Sequence, residues 1–300
     1  MASLHWRAMG IATNVVLGTR PVRRIGFGAM QLPGPGVFGP PRDHDTAIAI
    51  LRRAVDLGVN HIDTAEYYGP SVANELIREA LSPYPEELVL VSKVGARRDD
   101  KGGWQAAGSP SELRSGVESN LRTLGLEQVP IVNLRIHAPG APDAMFDDQV
   151  HAMVRMRDDG LIGGIGVSNV SADQFLRALE LTHIVTVQNL LNIVDQSARP
   201  VLDACRERNI PFVPFFPTGS AFGNENRVLA SPVVRDVAAS IDATPAQVAL
   251  AWALAQAPNV LLIPGTSSLA HLEENMAVAD IHLDDAAMNM LAVAELAGGH

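Results

Sequence analysis

Residues 132–181 read VNLRIHAPGAPDAMFDDQVHAMVRMRDDGLIGGIGVSNVSADQFLRALEL and contain two rounds of the pattern that decides the fold. The apolar run Val132–His137 predicts a strand, and the amphipathic segment Asp147–Asp158 predicts a helix. The same order returns in Gly164–Val167 and Ala172–Leu181. Strands that alternate with helices are typical of a parallel sheet whose strands are joined by helical crossovers.

This alternation extends over most of the chain and amounts to eight strand-then-helix steps. The apolar runs are mostly continuous, which indicates strands that are buried on both faces. The other predicted strands are Ile25–Ala29, His61–Asp63, Leu88–Lys93, Val185–Asn189, Phe212–Phe215 and Val260–Ile263, and the other helices are Asp45–Leu57, Asn74–Leu81, Ser111–Leu124, Ala198–Arg208, Val234–Ile241, Pro245–Gln256 and Ala270–Val278.

Eight right-handed crossovers close most simply into an α/β fold of the (β/α)8 TIM barrel type, and an open doubly wound sheet is the rival arrangement. We expect Asn14–Arg24 to form a hairpin that plugs the bottom of the barrel, with its turn at Gly18 and Thr19. Asp284–Leu296 is expected to add a C-terminal helix. No linker divides the sequence, so residues 1–300 are expected to form a single domain.

Composition and charge exclude several classes of protein. The chain has 300 residues, of which 47% are hydrophobic and 19% charged, and its mean hydropathy is +0.11. A net charge of −10 without a basic stripe argues against nucleic-acid binding. Cys205 is the only cysteine, which excludes an intramolecular disulfide and any multi-cysteine metal site. Because no apolar stretch is long enough to span a membrane and the first residues lack the apolar core of a signal peptide, we expect a cytoplasmic protein.

Residues 34–39 read GPGVFG and match the GxGxxG pattern of dinucleotide-binding loops. That pattern binds a cofactor only where a strand precedes it and a helix opens within it. Pro33 and Pro35 interrupt the entry, and Pro40 and Pro41 block a helix. We therefore predict a flexible surface loop near the mouth of the barrel.

Four titratable side chains follow the predicted strands, namely Asp63, Tyr68, Lys93 and His137. In a (β/α)8 barrel the carboxyl ends of the strands meet at one face, where the chemistry takes place. Lys93 is one of only two lysines, and its burial requires a counter-ion, which Asp63 can supply. A cation beside a tyrosine hydroxyl lowers its pKa, so we expect Tyr68 to act as a general acid near neutral pH. His137 is expected to orient a carbonyl oxygen, and the set suits protonation of a carbonyl as an alkoxide develops.

Three stretches together with His137 resemble the aldo-keto reductases: 61–69 (HIDTAEYYG), 91–94 (VSKV) and 166–169 (GVSN). The resemblance covers nearly the whole chain, and each motif falls at the end of its expected strand. It implies an NAD(P)H-dependent carbonyl reductase on a (β/α)8 barrel, acting on a small-molecule carbonyl substrate. The family's catalytic Asp, Tyr, Lys and His correspond here to Asp63, Tyr68, Lys93 and His137. The family places the proton donor five residues after the aspartate, which selects Tyr68 over Tyr67.

The same resemblance implies a set of cofactor contacts. Ser168, Asn169 and Gln188 correspond to residues that bond the nicotinamide carboxamide, and Phe215 to the aromatic residue that stacks on its ring. Phosphate groups are expected where helix N-termini and hydroxyls collect. The pyrophosphate contacts are Pro217, Thr218 and Gly219; the adenosine contacts are Ile263, Pro264, Gly265, Thr266, Ser267, Ser268, His271, Glu274 and Asn275; Gly28, Ala29, Met30, Asp63 and Phe216 complete the set.

The sequence favours NADPH over NADH, although many NADPH-dependent members hold the 2′-phosphate with an Arg or Lys that this adenosine segment lacks. Arg227 is a candidate for the missing charge. A narrower resemblance, carried by residues 28–43, 95–98, 214–217 and 263–268, is to the bacterial pyridoxal reductase branch, which interconverts pyridoxal and pyridoxine. That branch implies an aromatic aldehyde on a pyridine ring.

Two other functions stay open: a nucleotide-sensing regulatory subunit of the same fold, and a ketoreductase of secondary metabolism. No HExxH, Cys/His cluster or Gly-Lys-Ser/Thr loop occurs in the sequence, so we predict neither a metal enzyme nor a phosphoryl transferase. Candidate substrate-pocket walls are Phe38, Tyr67, Trp104 and Phe222. Arg97 and Arg98 are expected to be solvated, with contact to an anionic group as the alternative.

Overall fold

The computed structural model describes residues 14–219 and 226–296, and its main sheet consists of parallel strands. The strands are β1 (Val15–Leu17), β2 (Arg20–Val22), β3 (Phe27–Gly28), β4 (His61–Asp63), β5 (Val89–Val94), β6 (Ala96–Arg98), β7 (Trp104–Ala106), β8 (Val129–Arg135), β9 (Ile162–Ser168), β10 (Ile184–Leu190) and β11 (Phe212–Phe215). Within the main sheet the hydrogen-bonded order is β11-β10-β9-β8-β5-β4-β3.

The eighth position of the barrel is filled by the segment around Val260 and Leu262, which closes the sheet through single bridges. Phe212 is bridged to Val260, and Ile25 to Leu262, both in the parallel sense. The amide of Gly26 donates to the Leu262 carbonyl at 2.8 Å, and the amide of Leu262 donates to the Arg24 carbonyl at 2.7 Å. The (β/α)8 barrel is therefore confirmed, whereas the predicted strand Val260–Ile263 is reduced to isolated bridges.

Helices follow the strands around the outside of the barrel, and most begin within three residues of their predicted starts. They are α1 (His44–Asp56), α2 (Val72–Leu81), α3 (Pro110–Leu124), α4 (Ala144–Asp158), α5 (Ala172–Leu181), α6 (Arg199–Glu207), α7 (Arg227–Ala230), α8 (Pro232–Ser240), α9 (Pro245–Ala255), α10 (Leu269–Met276) and α11 (Asp285–Leu296). The expected C-terminal helix is thus present as α11.

Side-chain caps explain where several helices begin. Helix α3 begins at Pro110 because Ser109 and Glu112 form a reciprocal capping box. Helix α4 begins three residues before its predicted start, since the Asp143 carboxylate accepts a hydrogen bond from the Phe146 amide at 2.8 Å.

The hairpin β1–β2 closes the bottom of the barrel, as predicted. Leu17 and Val22 are buried and pack in one apolar cluster with Val89, Ile131 and Val213 of the barrel interior. The turn residue Gly18 has a φ of 66°, a conformation that glycine adopts without strain.

Arg24, which follows the hairpin, fastens the first strand to the end of the chain. Its buried guanidinium donates to the carbonyl oxygens of Leu254, Ala257 and Val260 at 2.6, 2.7 and 3.0 Å. Burial lowers the pKa of Arg24 from its usual range. These bonds reinforce the seam at which the barrel closes.

The GxGxxG match forms no dinucleotide-binding turn. Residues 35–37 form a short 3-10 helix, and Pro33, Gly34 and Val37 are buried, so the segment is packed rather than a free surface loop. In the described part of the chain, no single helix has the length and apolar character to cross a membrane. Helices α8 and α9 together would have the necessary length and composition, but they are bent by 92° relative to each other.

Candidate active site

A cavity of about 720 Å³ opens at the carboxyl ends of the strands, the face where barrels of this type carry their chemistry. Its lining runs from the end of β4 and β5 on one side to the segment before α10 on the other. The lining residues are Gly28, Met30, Gln31, Asp63, Tyr67, Tyr68, Lys93, Trp104, Arg135, Gln188, Pro214, Phe215, Phe216, Pro217, Thr218, Leu229, Ala246, Ile263, Pro264, Gly265, Thr266, His271, Glu274 and Asn275.

Lys93 is the centre of the polar group at the floor of this cavity. Its ammonium donates to the Asp63 carboxylate, to the Thr64 carbonyl oxygen at 3.1 Å and to the Tyr68 hydroxyl oxygen at 3.1 Å. Asp63, Lys93 and Tyr68 are all more than nine-tenths buried. The structure thus brings these three residues together as the sequence predicted, and each ammonium hydrogen has an acceptor.

The pKa of Tyr68 is held well above its ordinary value, which contradicts the expectation that it is lowered. Burial is the main cause, the negative charge of Asp63 adds to it, and the positive charge of Arg135 opposes it. The hydroxyl therefore carries its proton at neutral pH, with an ammonium next to the oxygen.

His137 does not reach this group. Strand β8 ends at Arg135, and His137 lies two residues further on, exposed and outside the cavity lining. Its backbone carbonyl is approached by the Asn169 side-chain amide at 3.4 Å. Arg135 takes its place in the cavity, with its guanidinium 5.6 Å from the centre of the Phe215 ring. The structure therefore does not place His137 in the cavity lining with Asp63, Tyr68 and Lys93, and its role in orienting a carbonyl stays a prediction.

Aromatic side chains form the outer wall next to Tyr68. The Tyr67 ring contacts those of Tyr68 and Trp104 edge to face, with centroids 5.4 and 5.7 Å apart. Tyr67 and Trp104 line the cavity, as predicted, but Phe38 does not. Phe222 lies outside the described residues.

Of the three residues predicted to hold a nicotinamide carboxamide, Ser168, Asn169 and Gln188, only Gln188 lines the cavity. Gln188 lines the cavity and donates to Asp63 at 3.0 Å. The Ser168 hydroxyl is buried without a hydrogen-bond partner among the described residues. Asn169 turns its amide to the Ile136 carbonyl at 2.8 Å and has a φ of 57°.

The far end of the cavity lies against the N-terminus of α10. Ser268 caps this helix through the His271 amide, and Thr266 and His271 line the cavity. A helix N-terminus next to hydroxyl groups is suited to a phosphate. The Glu274 carboxylate accepts a hydrogen bond from Thr244, which ties α10 to α9.

Most of the predicted cofactor residues line the cavity, and a few do not. Outside the lining are Ala29, Ser168, Asn169, Gly219, Ser267 and Ser268. Sequence reasoning missed Gln31, Arg135, Pro214, Leu229 and Ala246. The sequence does contain a signal for Arg135. It precedes His137 by two residues, and side chains two apart on a strand point to the same face.

Comparison with known proteins finds the same family over most of the chain. The family model described as "Aldo/keto reductase family" matches residues 24–295. Pyridoxine 4-dehydrogenase of Escherichia coli is 48% identical over 283 residues, which cover 93% of this chain and 97% of that protein. A methylglyoxal reductase of E. coli is 30% identical and covers 82% of this chain and 83% of its own length. The crystal structure of an aldo/keto reductase from Klebsiella pneumoniae in complex with NADP and acetate superposes with a TM-score of 0.76 at 26% identity, over 93% of this chain and 94% of that one.

Proposed function

The chain belongs to the aldo/keto reductase family and is an oxidoreductase, and on that premise we propose that it reduces the aldehyde of pyridoxal with NADPH as reductant. One observation carries the proposal: inside the cavity, the Lys93 ammonium donates to the Tyr68 hydroxyl at 3.1 Å. Burial holds the pKa of this hydroxyl above its ordinary value, so it is protonated at neutral pH. A protonated acid next to a fixed cation suits a carbonyl oxygen that becomes negative.

Tyr68 donates its proton to the carbonyl oxygen, and Lys93 stabilises the phenolate that this leaves. Asp63 holds Lys93 in place and balances its charge. When bound, a reduced nicotinamide supplies the hydride that adds to the carbonyl carbon. The product is an alcohol, with one hydrogen from the reductant and one from Tyr68.

The residues present fit a nicotinamide cofactor. The Gln188 amide in the cavity lining suits a carboxamide, and the exposed part of Phe215 offers a ring to stack on. Thr266 and the capped start of α10 suit the phosphates of the adenosine end. His271 lines that end and is a candidate partner for a 2′-phosphate, which supports NADPH together with the NADP found in the Klebsiella relative.

Pyridoxal as substrate is supported by the 48% identity with pyridoxine 4-dehydrogenase, over nearly the full length of both chains. We also propose that the chain forms one aldo/keto reductase domain, and the family match over residues 24–295 supports this. The proposal includes a cytoplasmic location, which suits a chain whose single cysteine, Cys205, is buried and forms no disulfide.

The test compares Tyr68→Phe with Tyr67→Phe in the oxidation of NADPH by pyridoxal and by a panel of other aldehydes and ketones. Loss of a general acid costs about 10²–10⁴-fold in kcat, so Tyr68→Phe should lose most turnover while it still binds NADPH. Tyr67 is the matched control, because its hydroxyl is buried next door without a hydrogen-bond partner among the described residues. Its removal should change kcat by less than about tenfold.

Near-normal turnover by Tyr68→Phe would contradict the mechanism. Turnover of other carbonyl compounds but not of pyridoxal would support the reductase activity and contradict pyridoxal as the substrate. Tight NADPH binding with no turnover on the whole panel would favour the regulatory, nucleotide-sensing alternative.

A further inference from the structure

Arg135 places a positive charge at the reaction end of the cavity. It is the last residue of β8, which pairs with β5 on one side and β9 on the other. The cavity lining that holds Asp63, Tyr68 and Lys93 also includes Arg135. Its guanidinium faces the Phe215 ring at 5.6 Å from the ring centre.

This charge has no counter-ion in the described part of the chain. The neighbouring charges, Asp63 and Lys93, neutralise each other in a buried ion pair. No carboxylate of a described residue lies within 4.0 Å of the Arg135 guanidinium, and no hydrogen bond from it to a described residue occurs. A partly buried cation is costly unless a partner compensates it, so a ligand that supplies an anion would gain affinity there.

Aromatic side chains share the cavity lining with Arg135. Tyr67 and Trp104 meet edge to face, and so do Phe215 and Phe216, whose ring centroids are 5.4 Å apart. Such surfaces accommodate a planar ring, and a guanidinium binds an anionic oxygen at the edge of that ring.

We propose that Arg135 determines the substrate specificity of this cavity by pairing with an anionic oxygen, an ionised ring hydroxyl or a carboxylate, on an aromatic aldehyde. The inference rests on the proposed function, because it needs the reacting carbonyl at Tyr68. Arg135 is close enough to act on that position, since its charge opposes the rise in the pKa of both Tyr67 and Tyr68.

The kinetic test measures kcat/KM of Arg135→Met, Arg135→Lys and Arg97→Met. Arg97 is an exposed arginine outside the cavity lining, so its replacement matches the change in net charge. The substrates are 2-carboxybenzaldehyde against benzaldehyde, and pyridoxal against its 3-O-methyl ether. The first pair tests a carboxylate and the second an ionised ring hydroxyl.

We expect Arg135→Met to lower kcat/KM for the anionic member of a pair by roughly 10- to 100-fold, the range for a hydrogen bond to a charged group. The neutral member should change by less than about threefold. Arg135→Lys should recover part of the loss because it keeps the charge, and Arg97→Met should resemble the unmodified protein. The pair that responds identifies the oxygen.

A binding test separates this inference from the proposed function. Calorimetry measures 2-hydroxybenzoate and benzamide, which cannot be reduced, on protein saturated with NADP⁺. Arg135→Met should weaken 2-hydroxybenzoate by about tenfold or more and leave benzamide unchanged. That result together with no turnover of any aldehyde would support Arg135 and overturn the reductase. Equal losses for anionic and neutral molecules, or no loss for either, would overturn the role of Arg135 and leave the reductase standing.

Discussion

Glu66 lies between Asp63 and Tyr68 in the sequence, yet its side chain faces away from the cavity. It lines a separate hollow next to α3, together with Gly116 and Arg122. Burial raises the pKa of Glu66 to about 7, and the charge of Arg122 only partly opposes this. Asp63 of this motif thus pairs with Lys93 in the cavity, whereas Glu66, three residues later, lines the separate hollow as a destabilised carboxylate.

Glu66→Gln should stabilise the protein at alkaline pH. The folded state of the unmodified protein holds the Glu66 proton between the ordinary value of 4.5 and about pH 7, so stability falls as pH rises through this window. The amide side chain of the variant cannot ionise, and we expect a gain of roughly 1–3 kcal/mol at pH 8 and almost none at pH 4.5. Urea unfolding of both proteins at the two pH values measures it. Glu127→Gln, at an exposed site, is the control, and an equal difference at both pH values would refute the explanation.

Two residues on one strand show what the sequence could and could not predict at the site. Asp63, Tyr68 and Lys93 were predictable because burial forces a lysine to find a carboxylate and a motif fixes the spacing. The position of His137 relative to the cavity was not predictable. Side chains two apart on a strand share a face, so periodicity alone does not show whether the strand ends at Arg135 or at His137. Strand β8 spans Val129–Arg135, shifted towards the N-terminus from the predicted Val132–His137, so Arg135 is the residue that its end presents.

At the scale of elements, Arg98 joins the segment of residues 36–37 to the hairpin β6–β7, whose Trp104 lines the cavity. From β6 it donates to the Gly36 and Val37 carbonyl oxygens at 2.8 and 3.1 Å, and to that of Gly102 at 2.7 Å. Its guanidinium also lies 4.0 Å from the centre of the Trp104 ring. The expectation of a solvated side chain is therefore wrong for Arg98, and the reason is a set of backbone carbonyls that only the folded loop brings together.

Arg98→Met should raise KM for the carbonyl substrate about tenfold and change kcat less than about threefold. The substitution removes charged hydrogen bonds worth roughly 1.5–3 kcal/mol each, which loosens the Trp104 wall without touching Tyr68. Steady-state kinetics with pyridoxal measures both constants. Arg97→Met, at the exposed neighbouring position, should leave both unchanged; a fall in kcat alone for Arg98→Met would show that the wall is not what Arg98 supports.

Helix ends were the elements that the sequence predicted best. Local chemistry decides them: Ser109, Pro110 and Glu112 begin α3, and Gly125 ends it with a φ of 68°. The eighth strand was predicted less well. Its pairing depends on two partners distant in sequence, Ile25 and Phe212, and no local pattern reports how many bridges form.

At the scale of the whole molecule, the seam held by Arg24 is where the barrel is closed. The three carbonyl oxygens that it binds belong to the end of α9 and the segment that follows, while Arg24 itself precedes β3. Gly28 and Gly265 meet across the same seam: a Cβ on Gly28 would lie 2.5 Å from the Ile263 carbonyl oxygen.

Arg24→Met should destabilise the whole fold by about 3 kcal/mol, because three buried carbonyl oxygens lose their donor at once. Urea unfolding measures the change. The neighbouring Arg23 bonds an exposed carbonyl at Gly58, so Arg23→Met is the control and should cost less than about 1 kcal/mol. Equal stability of the two variants would show that the seam does not depend on Arg24.

The seam also determines how long the barrel stays open during synthesis on the ribosome. The partners of Arg24 follow it by 230 to 236 residues, which at about 5–20 residues per second takes roughly 10–50 seconds to translate. During that interval the nascent sheet has two open edges, β3 and later β11, of the kind that invites pairing with other chains. The residues that complete the barrel are thus made after every strand of the main sheet, and the growing chain has to be protected until they emerge.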